Sequence, residues 1–281
     1  MSVFDTYKKA KDYLICVDSD GCAMDTMDIK HIRCFGPCMV QQWGLKQWEE
    51  EILARWNDIN LYTMTRGINR FKGLSVALQE IDKQYTEIED LSTLVDWVQN
   101  SDELSNDALK RAIDTNPESV SLKKALSWSE SVNASIKLLP QEEIKPFELV
   151  KEALEFAHNR ADIAIVSSAN LSAVLEEWEK HGLLKSVDIV LAQDSGSKAY
   201  CISQLLKKGY SAENVLMCGD APGDLSAAQS NCVNYYPILV RFERESWQEF
   251  MDIAFKKLLD GTYSGEYQVE KIKEFNSNLG N

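Results

Sequence analysis

From residue 146 onward the chain repeats one pattern: a short apolar run stops at a polar residue, an amphipathic stretch follows, and another run begins. The runs span 162–166, 188–192, 215–218 and 232–240, the last interrupted by Pro237, and 13–17 near the start is of the same kind. Runs this short, apolar throughout and closed by polar residues, read as strands of a parallel sheet buried on both faces. The stretches between them, at 147–160, 171–181, 198–208, 224–230 and 245–259, read as helices, with Gly182 and Gly209 as stops after the second and third. Strands alternating with helices through short loops predict an α/β chain with a Rossmann-like, doubly wound parallel sheet.

Residues 22–145 break this rhythm. Trp43, Trp48, Leu53 and Trp56 recur at helical spacing, no alternating strand pattern appears, and Asn116-Pro117 and Leu139-Pro140 punctuate the stretch as turns or helix starts. The expected organisation is an α/β core of residues 1–21 and 146–281 with an α-helical domain, 22–145, inserted after the first strand. The tail from Asp260 to Asn281 is expected to fold over the core or to end in a short helix.

Open parallel sheets bind ligands at the carboxyl ends of their strands. Asp18 and Asp20 follow the first run, Ser167 and Ser168 the second, Ser195-Gly196-Ser197-Lys198 the third, and Gly219-Asp220-Ala221-Pro222-Gly223-Asp224 the fourth. Carboxylates, hydroxyls and one lysine on a common edge suit a metal ion and a phosphate. Taken singly, Ser168 reads as a helix cap and Asp224 as an acid favoured near a helix N-terminus. The joint recurrence at successive strand ends outweighs those separate readings.

These four pieces, in this order, resemble the four motifs of the haloacid dehalogenase-like hydrolases. Asp18-Ser19-Asp20-Gly21, with Asp25-Thr26 following, is similar to the first motif, and Ile163–Ser167 resembles the second. Lys198, opening a helix, is similar to the third, and Gly219-Asp220 through Asp224 to the fourth. The resemblance implies a magnesium-dependent phosphatase acting through an aspartyl-phosphate, with a helical cap between the first two motifs. It makes Asp18 the nucleophile and Asp20 the general acid and base. Ser167 and Lys198 would bind the phosphoryl group, and Asp18, Asp20 (through its carbonyl), Asp220 and Asp224 would surround Mg2+. Ser19 stands where the pattern usually has an apolar residue, and Cys22 where Thr or Val is common. Dehalogenases of the superfamily lack the second acid, so Asp20 disfavours dehalogenation. A phosphomutase uses the same motifs and is the alternative; a noncatalytic binding protein on this fold is expected to have lost at least one of them.

The composition narrows the partners. A net charge of −14 opposes nonspecific binding to nucleic acid or anionic membranes. Yet residues 30–72 carry seven basic against four acidic side chains. Arg66, Arg70 and Lys72 are therefore candidates to reach an anionic leaving group or a second phosphate of a small phosphorylated metabolite, against the plainer reading of each as a solvated or salt-bridged helix end; the resemblance suggests a sugar phosphate. The five tryptophans of 22–145 (43, 48, 56, 97, 128) read as core rather than as a stacking platform. No apolar run approaches the ~18 residues of a membrane span. Seven cysteines without an export signal read as reduced thiols in a cytoplasmic protein. Cys34 and Cys38 near His31 lack a second pair to complete a zinc site.

Overall fold

The protein is described over residues 3–280 by a computed structural model, and it divides into two compact units. One comprises Met1–Met27 with Glu142–Asn281; the other is Asp28–Gln141.

The first unit carries five parallel strands: β1 (Tyr13–Val17), β2 (Ala161–Val166), β3 (Ile189–Leu191), β4 (Val215–Gly219) and β5 (Asn234–Pro237). They lie in the order β3-β2-β1-β4-β5. β1 is central, with Ile15 paired to Ile163 on one side and to Leu216 on the other. Its residues Leu14 to Val17 are wholly buried, which explains why no alternation is visible in its sequence. From β1 the chain builds outward through β2 and β3, then returns to the other side of β1 for β4 and β5. That reversal puts the crevice of a doubly wound sheet beside the carboxyl ends of β1 and β4.

Helices link the strands as expected, with small shifts at their ends. The first runs Val150–His158, later than the expected start at 147, because Leu149 adopts a left-handed turn at φ 70° immediately before it. The tail forms a longer helix than anticipated, Glu266–Leu279, and it packs against β5. There Gln268 Oε1 accepts from Tyr235 N–H at 2.9 Å, and Tyr263 Oη donates to Tyr235 C=O at 2.7 Å. The outer backbone groups of an edge strand are thereby satisfied by side chains instead of another strand. At the amino end of the sheet, Asp162 Oδ2 accepts the amides of Ala10 (2.9 Å) and Lys11 (3.0 Å) and the hydroxyl of Tyr210, pinning the chain start.

The expected domain boundaries lay at 21/22 and 145/146. The units divide instead at 27/28 and 141/142, because the two crossing segments pair with each other. Asp25 N–H donates to Lys145 C=O at 2.8 Å and Phe147 N–H to Ala23 C=O at 3.0 Å, while Cys22, Ala23 and Met24 are wholly buried in the α/β unit.

The second unit is helical. Its longer helices are Gly36–Trp43, Glu49–Asn57, Arg70–Gln84, Leu91–Asn100, Asn106–Thr115 and Val120–Ile136. They enclose Trp56, Phe71 and Trp128, whose rings meet edge to face, and Trp128 Nε1 donates to Phe35 C=O at 3.1 Å. Trp56 and Trp128 are fully buried, and Trp43, Trp48 and Trp97 are half-buried. Among the described residues, no helix is long and apolar enough to cross a membrane.

Candidate active site

Parallel strands deliver all their carboxyl ends to one edge of the sheet, so residues far apart in sequence arrive together. Val17 pairs with Cys218, and Asp18 N–H continues the ladder to Cys218 C=O at 3.0 Å. This places Asp18 beside Gly219 and Asp220. The helix after β4, Pro222–Ser230, then turns Asp224 back toward them. Asp224 is the third residue of that helix, and its Oδ2 accepts the amide of Ala221 at 3.1 Å.

Asp18, Asp220 and Asp224 are all buried, and each offers a carboxylate oxygen within 4.8 Å of the other two. Lys198 opens the helix Lys198–Leu206, which Ser197 caps through a hydrogen bond from Tyr200 N–H at 3.2 Å. Its Nζ lies 2.6 Å from Asp18 Oδ2 and 2.6 Å from Asp224 Oδ1, bridging the two. Burial alone would favour a neutral amine, but the flanking carboxylates of Asp18 and Asp224 outweigh it and hold Lys198 charged, well above the ordinary lysine range.

Burial is also the largest influence on Asp18; Lys198 opposes it and Asp224 adds to it, and the carboxyl is pushed up to about 7. Asp224 is raised for the same first reason, with Lys198 pulling it down and Asp220 pushing it up. Three carboxyl groups crowd one buried place, and the raised Asp18 and Asp224 reflect the cost of holding their negative charges there. Clustered oxygen donors of this kind fit a hard divalent cation such as Mg2+. Among the described residues this is the cluster with metal-ligating spacing; His31, Cys34 and Cys38 form none, and the cysteines are free thiols.

Asp20 sits half-buried on the loop after β1, its Oδ1 accepting the hydroxyl of Thr26 at 2.6 Å. Its side chain is outside the three-carboxylate cluster. The sequence shows Asp25-Thr26 but gives Thr26 no role; the fold makes it the donor that orients Asp20. Ser167 ends the neighbouring strand, with its amide bound to Leu191 C=O at 2.9 Å and its Oγ accepting Ala169 N–H at 3.1 Å. Ser168 does not cap the next helix. Asn170 does, accepting Ser172 N–H at 3.0 Å, because the chain needs two more residues to turn before Leu171–Lys180 begins.

The three basic candidates of the helical unit are differently placed. Arg66 is buried and donates to Leu61 C=O at 2.7 Å. Arg70 lies over the Phe35 ring, 5.0 Å from its centroid, and donates to Ser129 Oγ at 3.0 Å and Asn133 Oδ1 at 2.8 Å; burial lowers it to about 10. Lys72 is exposed.

A family model described as haloacid dehalogenase-like hydrolase matches residues 99–237. That range holds the second, third and fourth motifs, while Asp18 and Asp20 are joined to them by the sheet. Among solved structures, the fold is similar to a "putative beta-phosphoglucomutase" from Thermotoga maritima, with 16% identity, 86% of this chain and 97% of that one covered, and a TM-score of 0.50. It is similar also to a "putative phosphoglycolate phosphatase" from Lactobacillus delbrueckii subsp. bulgaricus, with 13% identity, coverage of 81% and 86%, and a TM-score of 0.50. Comparison with curated proteins by sequence gives no match.

Proposed function

The chain belongs to the haloacid dehalogenase-like hydrolases, and from that premise we propose that it is a Mg2+-dependent phosphatase of a small phosphorylated metabolite, with Asp18 as nucleophile. The observation that carries this reading is the buried cluster of Asp18, Asp220 and Asp224 joined by Lys198 at the carboxyl ends of β1 and β4.

Asp18 already has both oxygens engaged, one with Ser19 N–H at 2.7 Å and one with Lys198. The carboxylate is thereby oriented before any substrate arrives. In the proposed reaction Asp18 attacks phosphorus and becomes an aspartyl-phosphate. Asp20, steered by Thr26, gives a proton to the leaving oxygen and then takes one from the hydrolytic water. Lys198 and the Ser167 hydroxyl offset charge on the phosphoryl oxygens. Asp18, Asp220 and Asp224, with the Asp20 carbonyl, would hold Mg2+. When bound, the ion neutralises charge between nucleophile and phosphate and keeps Asp18 ionised. The helical unit, Asp28–Gln141, takes the role of the cap that selects the substrate. Of its basic candidates Lys72 is the exposed one, whereas Arg66 and Arg70 are already committed to hydrogen bonds within their unit.

The deciding measurement is phosphate release from a panel of phosphorylated metabolites, with and without Mg2+, for wild type and Asp18→Asn. Release that needs Mg2+ and vanishes in the variant supports the proposal. Release equal in both would remove it, and transfer to an acceptor sugar in place of release would make the protein a phosphomutase.

A further inference from the structure

The loop Asp18–Thr26 carries both aspartates of the proposed reaction, and two indoles grip it from within the core. Trp178, on the helix Leu171–Lys180, donates its Nε1–H to Ser19 Oγ at 2.9 Å. Trp247, on the helix Glu243–Glu249, donates to the Cys22 carbonyl at 3.1 Å. Both tryptophans, Ser19 and Cys22 are wholly buried.

Ser19 is the pivot of this loop. Its amide holds Asp18 Oδ1 at 2.7 Å, and its carbonyl accepts the amides of Cys22 (3.3 Å), Ala23 (3.0 Å) and Met24 (2.8 Å). Lying between Asp18 and Asp20, it fixes the peptide planes on both sides when its own side chain is fixed. Cys22 follows the turn at Gly21 (φ 80°), and its thiol also points to the Cys218 carbonyl, 3.5 Å away. Filling space would need only an aromatic ring. What an indole adds at each place is one N–H aimed at an acceptor of the loop, and Ser19 supplies an acceptor where the family pattern usually has an apolar side chain.

We propose that Trp178 and Trp247 are positioning residues: through Ser19 and the Cys22 carbonyl they hold the loop so that Asp18 and Asp20 keep the geometry of reaction. This rests on the phosphatase reading of those two aspartates. Both indoles are wholly buried. Each acts by denying the loop the small displacements to which proximity catalysis is sensitive, where about 1 Å can reduce the rate ~100-fold.

The test uses Trp178→Phe, Trp247→Phe, and the pair Ser19→Ala with Trp178→Phe. Trp178→Phe is expected to lower kcat roughly ten- to a hundredfold with KM within about twofold of wild type. In the double variant no buried polar group is left without a partner, so its melting temperature rises above that of Trp178→Phe, short of wild type by the cavity the smaller ring leaves, while kcat stays low. A kcat that rises along with melting temperature from Trp178→Phe to the double variant would make the bond merely structural and overturn the proposal, as would a Trp178→Phe kcat within about twofold of wild type. Amide hydrogen exchange of residues 19–26 gives a readout that needs no substrate. Faster exchange there in Trp178→Phe and Trp247→Phe is expected; exchange unchanged from wild type would overturn the tether. A wild-type protein inert toward every phosphate ester would count against the phosphatase reading alone, since the exchange result is read independently.

Discussion

At position 219 the absence of a side chain is what lets Asp224 reach the site. A Cβ there would lie 2.3 Å from Asp224 Cγ, far inside contact distance, and both residues are confined by buried strands and helix. Gly219→Ala is therefore expected to push the Asp224 carboxylate off Lys198 and out of the cluster. Metal titration should show Mg2+ affinity at least about tenfold weaker, with stability lowered by roughly 1–3 kcal/mol from overpacking. Asp18 offers a second test at this scale. Its carboxyl is held at about 7 by burial, against ~3.9 in an unfolded chain. The metal-free protein thus takes up a proton on folding between those values. That stabilisation is complete below ~4 and is lost as pH rises through about 7. Melting in chelator at pH 5 and 7.5 should show the decline, Asp18→Asn should flatten it, and Mg2+ should raise the melting temperature more at the higher pH. A decline identical in Asp18→Asn would assign it to other groups.

Among the elements, two helix junctions outside the site depend on single polar side chains. Asp90 sits in a left-handed conformation (φ 58°) before the helix Leu91–Asn100, yet its carboxylate binds the start of another helix, Val120–Ile136, through Ser119 Oγ and the amide and hydroxyl of Ser121. Burial would raise this carboxyl, but the hydrogen bonds from Ser119, Thr93 and Ser121 prevail and hold it at about 2. Asp90→Ala should reduce the stability of the helical unit by about 1–2 kcal/mol, seen as a lower urea midpoint. At the other junction, Tyr263→Phe removes the hydroxyl that satisfies Tyr235 C=O on the outer side of β5. A loss of about 1 kcal/mol is expected, and faster exchange in Glu266–Leu279 should accompany it. An unchanged midpoint would mean that water replaces the hydroxyl at no cost.

For the whole molecule, the consequence of two units with separate cores is that ligand stabilisation is local. The carboxylate cluster belongs entirely to the α/β unit, so Mg2+ should slow hydrogen exchange there and leave residues 28–141 unaffected. The sequence by itself determined the strands, because each is an apolar run closed by a polar residue, and it determined Asp18 and Asp220 as candidates at such closures, with Lys198 and Asp224 in the first turns of the helices that follow. It could not show that Thr26 serves Asp20, that Asn170 and not Ser168 starts a helix, or that Trp178 and Trp247 hold the loop from below. Local periodicity records which face of an element is apolar and where it stops. It holds no record of which side chain, 159 residues away in the case of Ser19 and Trp178, supplies a hydrogen-bond partner. The order of the sheet made those choices: only when β1 lies between β2 and β4 do the two helices bring their indoles beneath one loop. The basic stretch at 66–72 shows the converse. Its charges were plain in the sequence, but burial and hydrogen bonding, which belong to tertiary structure, decided that Arg66 and Arg70 answer first to their own unit.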